Sequence, residues 1–299
     1  MNKGVVSVLV AYLIWGLYPF YFHAMQHVAP TEIVIHRVLW TFALLAVYLF
    51  CSRRWRWIQK AITDRRTVAV FLMSSVLITA NWSTYTYAIV TNQTLEASLG
   101  YFMNPLLSVL LGTVFLKEKL NKAQMLAIVF ACAGVMWVTF KQGEFPALGL
   151  TLALSFGFYG LVRKMAPLGS LEGLTLETAF AFPVALLATF YFAGNGDLTF
   201  VHGTSWDKFW LIMAGPITTI PLILFAYGLK QVPYSTVGFI QYLSPTMVFF
   251  IGLFFFGEEL QVDRLIGFIL IWAGVLIFVG ENFFRSHSGY RTEFNQLSK

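Results

Sequence analysis

At 299 residues, 58% hydrophobic, 17% aromatic and only 11% charged, the chain carries more apolar surface than one or two soluble cores bury. Those proportions exclude an ordinary water-soluble enzyme and point to a bilayer. The two cysteines, Cys51 and Cys132, lie far apart and imply neither a disulfide framework nor a metal cage.

Ten apolar segments follow one another near 4–23, 33–51, 68–91, 94–116, 123–140, 147–163, 171–193, 208–229, 234–256 and 264–281. Each is long enough to cross ~30 Å of hydrocarbon as a helix. The first holds "AYLIWGLYPFYF", longer than a signal-peptide core and without a small-residue cleavage site, so it is expected to stay as a helix. His23 and His27 near its end have ligand spacing but no third ligand nearby, and no metal site is expected. The second segment carries Glu32, His36 and Arg37. The basic stretch "SRRWRWIQKAITDRR" after it reads as an interfacial anchor rather than an RNA-stacking surface. The third holds Asn81 and Trp82, and the fourth holds Glu96, Asn104 and Pro105. A carboxylate in mid-membrane costs at least ~2.5 kcal/mol and an interior proline roughly 3 kcal/mol, so that fourth segment must line something polar. Glu177 lies in the seventh segment, and "PITTIP" at 216–221 in the eighth.

Lys and Arg divide unevenly between the loops. With the N-terminus cytoplasmic, the inner side holds 16 of the 20, the outer side holds Lys141, Lys208 and Arg264, and Arg37 lies within a span. This asymmetry predicts an inner-membrane protein with both termini cytoplasmic and 282–299 as a cytoplasmic tail. It also accounts for the net charge of +6 without nucleic acid.

A shift of 140 lays "YFMNPLLSVLLGTVFLKE" on "QYLSPTMVFFIGLFFFGE", matching Pro105 with Pro245, Gly112 with Gly252 and Glu118 with Glu258. The same shift pairs "AGV" at 133–135 with "AGV" at 273–275 and Glu32 with Glu172, while "WGLY" at 15–18 meets "FGFY" at 156–159 at a shift of 141. Each half has five spans, so the second enters the membrane in the opposite sense. The fold class predicted is all-α and polytopic, with residues 4–140 and 147–281 as two inverted five-helix repeats. Such halves are related by a pseudo-two-fold axis in the membrane plane and favour transport over catalysis.

Glu96, Gly100 and Asn104 recur at i, i+4 and i+8 and share a helical face, with Tyr101 and Pro105 beside it. Thr236, Ile240 and Ser244, with Gln241 and Tyr242 adjacent, hold the matching face in the second half. A substrate cavity is expected between these helices, formed by Trp15, Tyr18, Asn81, Trp82, Tyr101, Asn104, Tyr159, Gln241 and Tyr242, with Tyr85 near them. Arg37 is expected to meet Glu96, Glu177 or a substrate carboxylate, either as a fixed ion pair or as a working charge. Glu96 is the candidate coupling carboxylate, with Glu177 next. His36, four residues after Glu32, is a candidate proton relay or a simply hydrogen-bonded histidine.

The stretches "LEASLGYFMNPL", "HRVLW", "NW" at 81–82, "FYGLVRK" and "GFIQYLSPT" resemble the RarD subgroup of the EamA branch of the drug/metabolite transporter superfamily. The resemblance covers essentially the whole chain. It implies ten helices in two inverted halves, cytoplasmic termini, no cofactor, and a central cavity that moves a small metabolite or drug, usually outward. Members are often labelled chloramphenicol permeases, although no residue here spells chloramphenicol. The expected partners are a small-molecule substrate, membrane lipids and protons. The competing classes are a membrane-embedded lipid-modifying enzyme and a channel. The sequence holds no P-loop, zinc motif, nucleophile elbow or ring of like charges to favour ATP hydrolysis or either alternative.

Overall fold

Hydrocarbon offers no hydrogen bonds, so a chain this apolar satisfies its backbone internally, and helices do so within one segment. The computed structural model describes residues 2–90, 94–143, 146–257, 259 and 262–297, with side chains described for 2–88, 100–141, 143, 146–257, 259 and 262–281. In chain order the helices are α1 (Lys3–Gly16), α2 (Tyr18–Ala24), α3 (Pro30–Ser52), α4 (Arg56–Thr63), α5 (Arg65–Val90), α6 (Thr94–Phe115) and α7 (Lys122–Gln142). They continue with α8 (Ala147–Met165), α9 (Ser170–Asn195), α10 (Thr199–His202), α11 (Ser205–Leu229), α12 (Tyr234–Gln241), α13 (Leu243–Phe255) and α14 (Val262–Leu297). No strand occurs among the described residues.

Three helix starts are closed by their own capping side chains. Asn2 accepts from the Gly4 N–H at the start of α1, and reciprocal capping boxes open α7 (Asn121 with Gln124) and α11 (Thr204 with Asp207). Two carboxylates do the same work across long chain separations. Glu32 accepts from the N–H groups of Thr199 (2.9 Å) and Phe200 (2.7 Å) at α10, and Glu118 from those of Tyr234 (2.6 Å) and Ser235 (2.8 Å) at α12.

Among the described residues, eight helical stretches are long and apolar enough to cross a membrane: Lys3–Ala24, Pro30–Ser52, Arg65–Ala88, Lys122–Lys141, Ser170–Asn195, Ser205–Leu229, Tyr234–Phe255 and Val262–Glu281. The remaining two expected spans are present as helices outside that set. They are α6, apolar over the shorter stretch Gly100–Phe115, and α8, whose glycines and terminal Arg163 and Lys164 dilute its apolar character. Other details depart from the expected segments. The first span is divided between α1 and α2 at Leu17, two residues before Pro19. The ninth is divided between α12 and α13 at Tyr242, where the Pro245 ring meets the preceding turn. Short helices α4 and α10 occupy connections, and α14 continues beyond the apolar stretch to Leu297.

Packing joins the two parts of the chain throughout. α1 lies on α11 and α5 on α8; α3 lies on α9 and α11; α6 packs on α8 and α12, and α7 on α14. The last pair approaches backbone to backbone. A Cβ on Gly134 would fall 2.6 Å from the Gly267 carbonyl oxygen, and one on Gly274 only 2.5 Å from that of Ala127. Both contacts therefore require glycine, and they exchange under the shift of 140 residues.

Near the end of α8 the core holds a charge pair. Arg163 and Glu177, each 1% exposed, approach with Nε and Oε1 3.3 Å apart. The Ser74 hydroxyl donates to the same carboxylate, the Tyr159 hydroxyl donates to Oε2 at 3.3 Å, and Arg163 Nη2 donates to the Ser170 carbonyl at 2.9 Å. Glu177 therefore belongs to a fixed pair that ties α5, α8 and α9, and its partner is Arg163, not Arg37.

Removing one member of this pair leaves the other charge buried. Glu177→Ala is expected to lower folded stability by about 3–5 kcal/mol, whereas Arg163→Met with Glu177→Leu should recover most of that loss. Thermal unfolding of the detergent-purified variants, followed by tryptophan fluorescence, checks both.

Candidate functional site

A cavity of about 620 Å³ lies between the two parts of the chain. Its position along the membrane normal follows from where each helix joins it. α1 reaches the wall at Tyr12 and Trp15, α2 continues it at Tyr18 and Phe22, and α5 contributes Ile78 through Tyr85. α6 touches it from Gly100 to Asn104, and α12 and α13 only from Gln241 to Phe249. All of these stretches lie away from the face on which α1 begins. The cavity thus occupies one side of the bundle, and the side bearing Asn2 is closed.

The closure is polar and built at helix ends. Glu118 holds the start of α12 as described above, and the Tyr234 hydroxyl donates to the Gly157 carbonyl at 2.7 Å. Lys164 Nζ donates to the carbonyls of Leu229 (2.7 Å) and Val232 (2.6 Å), completing the end of α11. Gly4 packs so closely on Gln231 and Val232 that a Cβ there would collide with both.

Aromatic rings form most of the wall. Trp15 meets Tyr12, Phe156 and Phe225 edge-on, with centroids 4.9, 5.8 and 5.4 Å away; farther out Tyr85 packs on Tyr101 at 6.1 Å, and Phe249 on Phe268 at 4.3 Å. Arg37 projects from α3 into this setting. Its guanidinium carbon lies 4.3 Å from the Trp82 ring centroid and 6.0 Å from that of Tyr18, and its Nε donates to Thr218 Oγ1 at 2.9 Å. Thr218 comes from "PITTIP", where Thr219 also bonds the Gly215 carbonyl at 2.8 Å. Arg37 and Arg264 are the two charged side chains among the described lining residues, and no acidic side chain is among them.

The floor is neutral and polar. The Ser108 hydroxyl donates to Gln241 Oε1 at 3.2 Å, while Gln241 Nε2, Asn104 Oδ1 and the Tyr12 hydroxyl are buried without a hydrogen-bond partner. Asn81 lines the wall too, but its Nδ2 is engaged by the Leu152 carbonyl and Ser155 Oγ, both at 3.0 Å.

Of the expected site residues, Trp15, Tyr18, Arg37, Asn81, Trp82, Tyr101, Asn104 and Gln241 line the cavity, and Tyr159 and Tyr242 do not. Tyr159 stacks behind Phe225 with its hydroxyl on Glu177, because one turn of α8 carries it from the cavity face into the charge-pair layer. Tyr242 is the residue at which α12 ends, and the break turns its ring toward Ala131, Val135 and Ile271. The same break leaves Ser244 on the wall but not Thr236 or Ile240. His36 is walled in elsewhere. The Trp40 indole N–H donates to its Nδ1 at 2.9 Å, so Nε2 carries the proton and faces Glu32 Oε1 at 3.8 Å. The Glu96 side chain lies outside the described residues. Sequence reasoning missed Tyr12, Phe156, Phe249, Phe268 and Arg264 as wall residues. Tyr12 was detectable three residues before Trp15 on one helical face; Arg264 was read only as a loop charge.

Comparison with known proteins gives this architecture a family. The sequence profile described as the EamA-like transporter family matches residues 2–140 and again 146–280. The chain is 40% identical over 282 residues to the uncharacterized transporter YojE of Bacillus subtilis, covering 93% of each, and 37% identical over 278 residues to protein RarD of Escherichia coli, covering 93% of this chain and 94% of that protein. A solved crystal structure, 14% identical, shares the fold with a TM-score of 0.66 over 92% of this chain and 96% of its own. A polytopic helical protein matched twice by one transporter profile, and by RarD over nearly its whole length, is a membrane transporter: the chain belongs to the EamA-like transporter family, with the RarD-type proteins of the drug/metabolite transporter superfamily.

Proposed function

We propose that the protein is a secondary carrier of the inner membrane that moves a small organic metabolite or drug by alternating access. Its two inverted five-helix halves, 4–140 and 147–281, rock about the central cavity, with both termini cytoplasmic. The observation that carries this reading is the cavity itself, bounded by corresponding segments of the two halves and closed on one side only. The contact pattern supports it. α1 on α11 becomes α8 on α5 under the repeat shift, and α3 on α11 becomes α9 on α5. Two halves with exchangeable contacts have a second arrangement of similar energy, open on the opposite face.

With 16 Lys and Arg on the inner side, the closed face is the cytoplasmic one and the cavity opens outward. Trp15, Tyr18, Trp82, Tyr101, Asn104 and Gln241 then surround the substrate, and Asn81 holds α5 on α8 beside it. Glu96, one turn from the cavity residue Gly100, is the acid whose protonation follows exposure to either side, with Arg37 favouring its charged form. Chloramphenicol, suggested by the family resemblance, is one solute to test among many.

A reporter fused to the C-terminus should be active only in the cytoplasm; activity outside removes the topology. In proteoliposomes an imposed pH difference should accelerate solute flux by wild type but not by Glu96→Gln at equal reconstitution. An equal response of both makes Glu96 structural. Weakening the closure is expected to bias the carrier inward. In a Cys51→Ser, Cys132→Ser background, Ser235→Cys should react several-fold faster with an impermeant thiol reagent applied from the cytoplasmic side when Glu118→Gln is added.

A further inference from the structure

Arg37 is a cation inside a membrane with only neutral partners among the described residues. Trp82 covers one face of its guanidinium, Thr218 takes Nε and the Tyr18 hydroxyl lies within reach, while the group lines the cavity. Among the described residues the nearby acids are engaged elsewhere. Glu32 is held by Thr199 and Phe200, Glu177 by Arg163, and Asp207 by Thr204 and His27. A second cation, Arg264, lines the same cavity, and no described lining residue is acidic. An intramembrane Arg without an acidic partner among the described residues is costly, and a planar fork of this kind matches a carboxylate with two parallel hydrogen bonds.

The floor adds a second requirement. Tyr12, Asn104 and Gln241 are 5%, 9% and 2% exposed, and each presents an unpartnered polar atom: a hydroxyl, an acceptor Oδ1 and a donor Nε2. The Tyr12 hydroxyl and the Gln241 amide lie within reach of one another, so a purely apolar ligand end leaves at least the Asn104 acceptor unsatisfied, whereas an amide or hydroxyl would answer it. Between floor and Arg37 the wall is aromatic, which suits a flat apolar body.

We infer that the cavity selects a small organic monoanion, its carboxylate on Arg37 against Trp82 and a neutral amide or hydroxyl on Asn104 and Gln241, over uncharged or cationic solutes of the same shape. This rests on the carrier reading and names its substrate class. Under the proposed coupling role Glu96 and the ligand would share Arg37, so Glu96→Gln should keep or strengthen anion binding rather than remove it.

The test uses the full-length protein and four probes with one ring: N-acetylphenylalanine (carboxylate and amide), its neutral carboxamide, cationic phenylalaninamide, and 3-phenylpropionate, which keeps the carboxylate but lacks the amide. Binding is read by thermal shift and by counterflow in proteoliposomes. N-acetylphenylalanine is expected to bind at least about tenfold more tightly than the carboxamide or the cation, the scale of one charge-assisted hydrogen-bonded pair. Phenylpropionate should fall between them. Arg37→Gln should erase the preference for acid over carboxamide, Arg37→Lys should keep part of it, and Glu96→Gln should keep or increase it. The comparison of acid with carboxamide on wild type stands even if the Arg37 variants fail to fold. The inference is overturned if the carboxamide or the cation binds as tightly as the acid, if Arg37→Gln keeps the preference, or if Glu96→Gln loses it; the carrier reading survives each of these. If neither these probes nor a broad metabolite and drug library produces any flux, the carrier reading falls and takes the inference with it.

Discussion

The structure depends on one constraint: inside hydrocarbon every backbone N–H and C=O must find its partner within the protein. Long helices meet it along their length, so the difficulty concentrates at their ends and interruptions. Those are the positions where the chain spends its polar side chains. Asn2, the Asn121 and Thr204 boxes, and the carboxylates of Glu32 and Glu118 all accept backbone N–H groups. The two interruptions, at Leu17 and Tyr242, both adjoin the central cavity. A bend in lipid would leave carbonyls unsolvated; a bend beside a wet cavity does not.

The buried charges divide by the same logic. Arg163 and Glu177 are buried, and the protein supplies each with the other and with a hydroxyl or carbonyl partner, while Arg163 Nη1 has no hydrogen-bond partner among the described residues. Such a pair gives little net stability, yet it is intolerant of losing one member and so fixes how α5, α8 and α9 meet. Arg37 receives an aromatic face and one hydroxyl instead. That environment holds the guanidinium in position without neutralising it, which is the difference between a rivet and a receptor.

The overall class and part of the cavity were legible because bilayer physics writes directly into sequence. Apolar length gave the spans, and the recurrence of Pro105 at Pro245 with Gly134 at Gly274 pointed to the repeat. Asn104, Trp82 and Gln241 stood out as residues that lipid would reject or an aromatic wall would use. What was not legible came from local backbone breaks and from pairing. Helical periodicity carried through Tyr242 assigns its ring to the wrong face, since the pattern is counted across a break that it does not reveal. Arg163 looked like an inner-loop charge counted for topology, so its claim on Glu177 was invisible. Tyr159 followed Glu177 out of the cavity for that reason. Arg264 was hidden in the same way, as a loop charge that proves to line the mouth.

The closure beneath the cavity is made largely of side chains bonding to backbone groups: Glu118 to two N–H groups and Lys164 to two carbonyls at helix ends, and Tyr234 to a third carbonyl within α8. Each of those backbone groups pairs with water as readily as with its present side chain. A seal of this kind is therefore an exchange of solvation, in which every bond broken as the halves part is remade with the water that enters. On the alternating-access reading proposed above, opening has little enthalpic bias in either direction, and the small free energy of a bound solute is enough to decide which face of the membrane the carrier addresses.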